Sequence, residues 1–128
     1  MILLDTNICI YVMHKRDPTL MSKFESFASQ LMVSIITVAE LEYGVEKSTQ
    51  KSKNSRALEA FLSRLKIANW DHDCAKQYAK IRHMVRAQPI SAEDVMIASC
   101  ALALDALLVT NNTREFKRVD GLKFDNWV

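Results

Sequence analysis

Glycine and proline are scarce, with two of each in 128 residues. Tight hairpins draw on both, so a fold of many short hairpins is excluded and little chain is left for long linkers. Cysteine is nearly as sparse. Cys9, Cys74 and Cys100 are odd in number and widely spaced, which argues against a disulfide framework and against a CxxC metal site. Buried, reduced thiols of a cytoplasmic protein account for them most simply. The N-terminus lacks the positive stretch of a secretory signal, since Lys15 and Arg16 follow the apolar run and Asp5 interrupts it. No apolar run approaches the length of a membrane span, so no membrane contact is expected. Neither sign of charge dominates: seventeen Lys and Arg face fifteen Asp and Glu, a balance that permits a polyanionic partner without requiring one. Internal repeats, low-complexity tracts and the His-x-Glu or HExxH patterns of zinc sites are all missing, and His14, His72 and His83 stand alone.

What is present is a large apolar fraction, 49% of the residues, enough to give residues 1–128 the core of a single domain. The organising stretch is MILLDTN. Ile2, Leu3 and Leu4 form an apolar run cut off by Asp5, Thr6 and Asn7, and apolar spacing resumes in ICIYVM. A buried strand running straight into a helix has this pattern. It sets the Asp5 carboxylate at the carboxyl end of a strand, where open α/β sheets gather their ligand sites. A buried Asp needs a partner or a metal. The simpler reading is that Asp5 only caps the helix behind it.

Along the chain, Ile8 to His14 reads as a first helix, and HKRDP as a break. A second helix is expected from Thr19 to Gln30, with Leu20, Phe24 and Phe27 on one face. LMVSII is the second strand, and Thr37 with Glu40 has the form of a capping box for a helix reaching Lys47. KSTQKSKNS reads as a helix end, a loop or an exposed turn, and RALEAFLSRLK as helix through Leu58, Phe61, Leu62 and Leu65. KIANW is a third strand. Asp71 or Asp73 then caps a helix to Ala87, with Ala75, Tyr78, Ala79, Ile81 and Val85 facing inward. Ser91 caps the most apolar helix, SAEDVMIASCALAL, which ends at Asp105; ALLVT and LKFDNWV supply the last strands. Strands alternating with helices predict an α/β fold in which a mainly parallel sheet lies between helical layers.

That arrangement sorts the acids. Most sit in polar surroundings and read as solvated surface, among them Asp17, Glu25, Glu59 and Asp120. Asp5, Glu40 and Glu115 each follow a strand, and Asp94 opens the apolar helix. Each has a plain alternative. Glu40 and Asp94 occupy the third position of an S/T-x-x-E/D pattern, where capping and the helix dipole suffice to explain a carboxylate, and Glu115 alone is ordinary surface. Taken together, carboxylates converging on one sheet edge repel unless cations sit among them, and oxygen-only ligation selects hard ions such as Mg²⁺ or Mn²⁺.

The blocks LLDTNICIYV, SIITVAELEYGVEKS, EDVMIASCALAL and LLVTNNTREF, in this order, resemble a PIN domain, and more narrowly the VapC toxins of bacterial type II toxin–antitoxin modules. The resemblance covers essentially the whole chain. It implies a PIN-like three-layer α/β/α sandwich with a Mg²⁺-dependent endoribonuclease site (Mn²⁺ as the substitute ion). By that likeness Asp5, Glu40 and Asp94 form the acidic, metal-binding cluster, and Glu115 matches the fourth acid. Thr6 and Asn7 are then expected to orient Asp5, with Thr110 serving the late block. Two departures stand out: SAED replaces the family's Gly-Pro-Asn-Asp-like entry and places Glu93 beside the site, and Asn112 can share or replace the role of Glu115 through a water.

One or two such ions would neutralise the scissile phosphate and polarise a water for in-line attack, leaving 5′-phosphate and 3′-hydroxyl ends. Positive groups within reach of the edge are Lys47, Lys51 and Lys53, Arg82 and Arg86, and above all Arg114, Lys117 and Arg118, the expected RNA-binding set. Sequence-specific RNA cleavage favours unstacked loops. The resemblance adds a structured RNA such as a tRNA anticodon loop, a VapB-like antitoxin that places a basic side chain in the acidic site, a homodimer, and DNA contact only through the antitoxin. Apolar residues at Leu20, Phe24, Phe27, Leu58 and Phe61 are candidates for the dimer surface or antitoxin groove, with core as the simpler reading of each. A receiver domain would need an Asp ending a middle strand and a Lys after the last, which IANW and LLVTNN do not supply. The rival of another class is a non-catalytic PIN-like module that binds RNA or a partner.

Overall fold

The computed structural model describes all residues, Met1–Val128. Its first strand, β1 (Ile2–Leu4), lies at the centre of a five-stranded sheet of order β3-β2-β1-β4-β5, in which every pairing is parallel. The other strands are β2 (Leu31–Ser34), β3 (Lys66–Ala68), β4 (Leu107–Val109) and β5 (Phe124–Asp125). Successive strand residues point to opposite faces. Leu3 enters a core built with Ile81, Val95 and Ile97, while Ile2 and Leu4 enter one built with Ile8, Leu20, Phe24 and Leu58. Burial on both faces explains why the sequence here is uniformly apolar rather than alternating.

The second core is covered by α1 (Thr6–His14), α2 (Pro18–Ser26), α3 (Ile35–Glu46) and α4 (Lys51–Leu62), and the first by α5 (His72–Met84) and α6 (Ala92–Leu104). A short helix, α7 (Thr113–Phe116), follows β4. The result is the expected three-layer sandwich. The chain winds outward from β1 through β2 to β3, then returns to the other side of β1 for β4. That reversal opens a crevice beyond the carboxyl ends of β1 and β4. Asp5 stands at its floor, its N–H bonded to the Val109 carbonyl at 2.9 Å.

Several boundaries differ from those predicted. LMVSII does not continue as strand: Ser34 is the extended cap of α3, its hydroxyl accepting from the Ile36 N–H at 3.1 Å, so Ile35 and Ile36 are already helical. Thr37 is therefore not a cap but a buried residue of the first turn, and Glu40 belongs to no capping box. The second helix stops at Ser26, before a single 3-10 turn at Ala28–Gln30. KSKNS is helical, being the outward face of the start of α4. Asp71 caps α5, which ends at Met84 short of Ala87, and Ala79 is exposed rather than inward. No helix is long and apolar enough to cross a membrane.

Candidate active site

Three acids from three layers face the crevice. Asp5, at the end of β1, is 4% exposed. Its Oδ1 accepts from the Thr6 N–H at 2.8 Å and its Oδ2 from the Thr110 hydroxyl at 2.7 Å. It does cap α1, but capping needs no burial, and no Lys or Arg pairs with it; the four ion pairs lie elsewhere. Burial holds the Asp5 carboxyl above the usual carboxylate range, a rise only partly offset by its two hydrogen bonds.

Glu40 projects from α3 and accepts from the Thr6 hydroxyl at 2.7 Å. Thr6 Oγ1 also lies 3.1 Å from the Thr37 hydroxyl. A hydroxyl has one proton, and that of Thr6 goes to the carboxylate, so Thr37 is the donor in this pair. Thr6 thus ties Asp5 by its backbone and Glu40 by its side chain.

Asp94 sits in the first turn of α6, where Ser91 Oγ accepts from its N–H at 3.3 Å. Its Oδ2 accepts from Asn112 Nδ2 at 3.3 Å, and the side chain of the cap residue Ser91 also favours its charged form. Burial, then the negative charge of Asp5, and to a lesser degree that of Glu40, push its pKa up to about 6. The charges of Asp5 and Glu40 thus act on Asp94 across the crevice. Asn112 completes a relay: its N–H donates to Thr110 Oγ1 at 2.9 Å while Thr110 donates to Asp5, so one hydrogen-bonded chain joins Asp5 to Asp94.

The remaining expected residues separate. Glu115, on α7, is held by Arg118 at 3.0 Å. Arg118 donates a second bond to the Gln88 carbonyl, so of the basic set only Arg114 and Lys117 remain exposed and unengaged. Asn7 is exposed and makes no hydrogen bond to Asp5; the Thr6 N–H does that work. Sequence reasoning missed Thr37 as part of the site because its spacing with Glu40 imitated a cap. It also missed the bond from Asn111 Nδ2 to the Tyr11 hydroxyl (3.2 Å), which joins residues 100 apart and leaves no local signal.

Comparison with known proteins bears on this geometry. The model of the PIN domain family matches residues 2–122. Ribonuclease VapC2 of Rickettsia felis is 40% identical over 129 residues, covering 98% of this chain and 96% of that protein. The chain belongs to the VapC group of PIN domains. The tRNA(fMet)-specific endonuclease VapC of Shigella flexneri is 36% identical over 98% of this chain and 96% of its own length. Among solved structures, the DNA-bound VapBC complex of Salmonella typhimurium superposes with a TM-score of 0.95 at 34% identity, covering 99% of this chain and 98% of that one.

PIN domains with such an acid set invite the question of a metal. No three His, Cys, Asp or Glu side chains meet closely enough to enclose an ion as they stand. The donor set nevertheless fits a hard divalent cation: it is oxygen-only, and its most buried member, Asp5, has no positive partner. Asp5 and Asp94 could hold it, with Glu40 bonded to the hydroxyl of the same Thr6 whose N–H donates to Asp5. Recruiting Glu115 would require breaking its pair with Arg118.

Proposed function

We propose that this VapC-type PIN domain is a divalent-metal-dependent endoribonuclease, the toxin of a toxin–antitoxin pair. One observation carries the reading: the Asp5 carboxylate, buried and lacking any cation from the protein, is joined through Thr110 and Asn112 to the carboxylate of Asp94. A bound Mg²⁺ or Mn²⁺ would supply positive charge to the scissile phosphate and lower the pKa of a water so that it loses its proton more readily. The chain supplies the geometry. Thr6 and Thr110 fix both oxygens of Asp5, and Asn112 holds one oxygen of Asp94. Thr37 and Thr6 position Glu40, so the acids need not reorganise when substrate arrives.

Attack by such a water bypasses the RNA 2′-hydroxyl. Purified protein with Mg²⁺ is expected to cut single-stranded or looped RNA to 5′-phosphate and 3′-hydroxyl ends, with activity lost in EDTA and in Asp5→Asn. Ends bearing 2′,3′-cyclic phosphate would refute the mechanism. The name of the Shigella flexneri relative makes tRNA the first substrate class to try.

Neutralisation by an antitoxin is supported by the Salmonella typhimurium complex and by a groove of about 570 Å³ between α1, α3 and α4. Ile10, Met13, Leu41, Val45 and Leu58 line it together with Glu40, so a peptide seated there lies against one of the acids. Of the apolar residues singled out in sequence, Leu20, Phe24, Leu58 and Phe61 are buried, and Phe27 alone is exposed. DNA contact, in this reading, belongs to the antitoxin.

A further inference from the structure

A second cavity, of about 300 Å³, lies in the hairpin between α5 and α6. Its floor is apolar, with Val85, Ile90 and Val95, and its rim carries Tyr78, Arg82 and Arg86. Neither arginine has a carboxylate partner, since the four ion pairs involve other residues. Both are nevertheless held in place. The Arg82 guanidinium lies 5.6 Å from the Tyr78 ring centre and donates to the Tyr78 hydroxyl at 3.4 Å, and Arg86 donates to the His83 carbonyl at 2.7 Å. Tyr78 is itself fixed edge-on against Trp70, whose indole N–H donates to the Met96 carbonyl of α6. Two planar cations and a phenol around an apolar floor fit an unstacked base and its phosphate better than a lipid or a metal.

Position supplies the second argument. Ala92 and Val95, which line the cavity, bracket Asp94 on the first turn of α6. The hairpin is also braced against the segment after β4, where Arg118 donates to the Gln88 carbonyl and the Asp120 N–H to Met84 sulfur. The cavity is therefore rigidly placed beside one of the acids. We infer that it is a nucleotide subsite: Arg82 and Arg86 take a phosphate and Tyr78 a base of single-stranded RNA flanking the bond cut at Asp5 and Asp94. This inference rests on the ribonuclease reading, and it separates the substrate-positioning charges from Arg118, whose charge is paired with Glu115.

The test is binding of a short fluorescent single-stranded RNA to Asp5→Asn protein, with and without Arg82→Gln plus Arg86→Gln. Lys76→Gln plus Lys80→Gln removes the same charge from exposed positions of α5 outside the cavity. The arginine pair is expected to weaken binding about ten- to hundredfold. It should also make the salt slope shallower by about 0.7, for the one phosphate no longer neutralised. The lysine pair should change binding little. In Asp5-intact protein the arginine changes should raise KM with kcat nearly unchanged. Equal loss from both pairs would show general attraction only and overturn the subsite, as would unchanged RNA binding alongside lost binding of an acidic peptide. Cleavage that is normal in the arginine variant overturns the subsite alone; wild-type protein that binds this RNA through the arginines but never cuts it overturns the ribonuclease reading alone.

Discussion

Asp94 titrates at about 6 in the folded chain, because burial and the charges of Asp5 and Glu40 disfavour its ionised form, against an ordinary value of 3.8 when unfolded. Between those values the native state holds a proton that the unfolded chain has released. Stability from this group is therefore complete below about pH 4 and is lost as pH rises through about 6. Removing the charge removes the loss. In EDTA at about pH 7, Asp94→Asn is expected to be more stable than wild type by about 1 kcal/mol, after discounting the shift for the half-exposure of the group, while cleavage is abolished. Thermal melts at about pH 4.5 and about pH 7 check this, since the variant's advantage must shrink at the lower pH; an equal advantage at both would show that repulsion is not its source. Thr110 behaves oppositely. It is fully buried, donates to Asp5 and accepts from the Asn112 N–H, so Thr110→Val keeps the shape and strands polar groups on both sides. A loss of about 1–3 kcal/mol in urea unfolding, with a cleavage rate down about ten- to hundredfold, is expected.

At the scale of elements, two helices end on residues that are poor for the task. Lys15 and Asp105 cap α1 and α6 in left-handed backbone, each with φ of 53°. A lysine gains nothing there to offset the Cβ clash. Lys15→Gly should raise the urea midpoint by the equivalent of about 0.5–1 kcal/mol at unchanged m, and leave cleavage intact because the end of α1 lies away from the acids. Elements with several consistent signals were legible in sequence: β1 by its apolar run and abrupt Asp5, α5 and α6 by their caps and apolar spacing, β4 by ALLVT. The start of α3 was not. Two cap residues, Ser34 and Thr37, compete there, and the β-branched Ile35 and Ile36 favour strand, but the parallel ladder with β3 ends at Ser34 paired with Ala68. Helix α7, four residues long, is too short for periodicity to reveal. That is why the pairing of Glu115 with Arg118, ordinary at a spacing of three in a helix, was not foreseen. The bond between Asn112 and Asp94 depends wholly on how α6 packs over β4.

At the scale of the whole molecule, the acids join what the two cores separate. Asp5 comes from the sheet, Glu40 from a helix packed mainly on one core, and Asp94 from a helix packed on the other. Without a cation, their repulsion works against the closure of both layers over the crevice. With one, the same charges become a cross-link between the layers, added to the direct packing of α3 on α6. Ion binding should therefore stabilise the chain as a unit, not one helix of it. At about a hundred times its dissociation constant, Mg²⁺ would add about 2.7 kcal/mol, which moves the melting temperature up by roughly 10 °C in a chain of this size. Calorimetry is expected to show one transition that shifts intact, with Asp94→Asn starting higher in EDTA and gaining almost nothing from Mg²⁺, and Asp5→Asn equally unresponsive. Two transitions of which only one moves with Mg²⁺ would mean that the ion is held by a single layer, and the three-acid site would have to be abandoned.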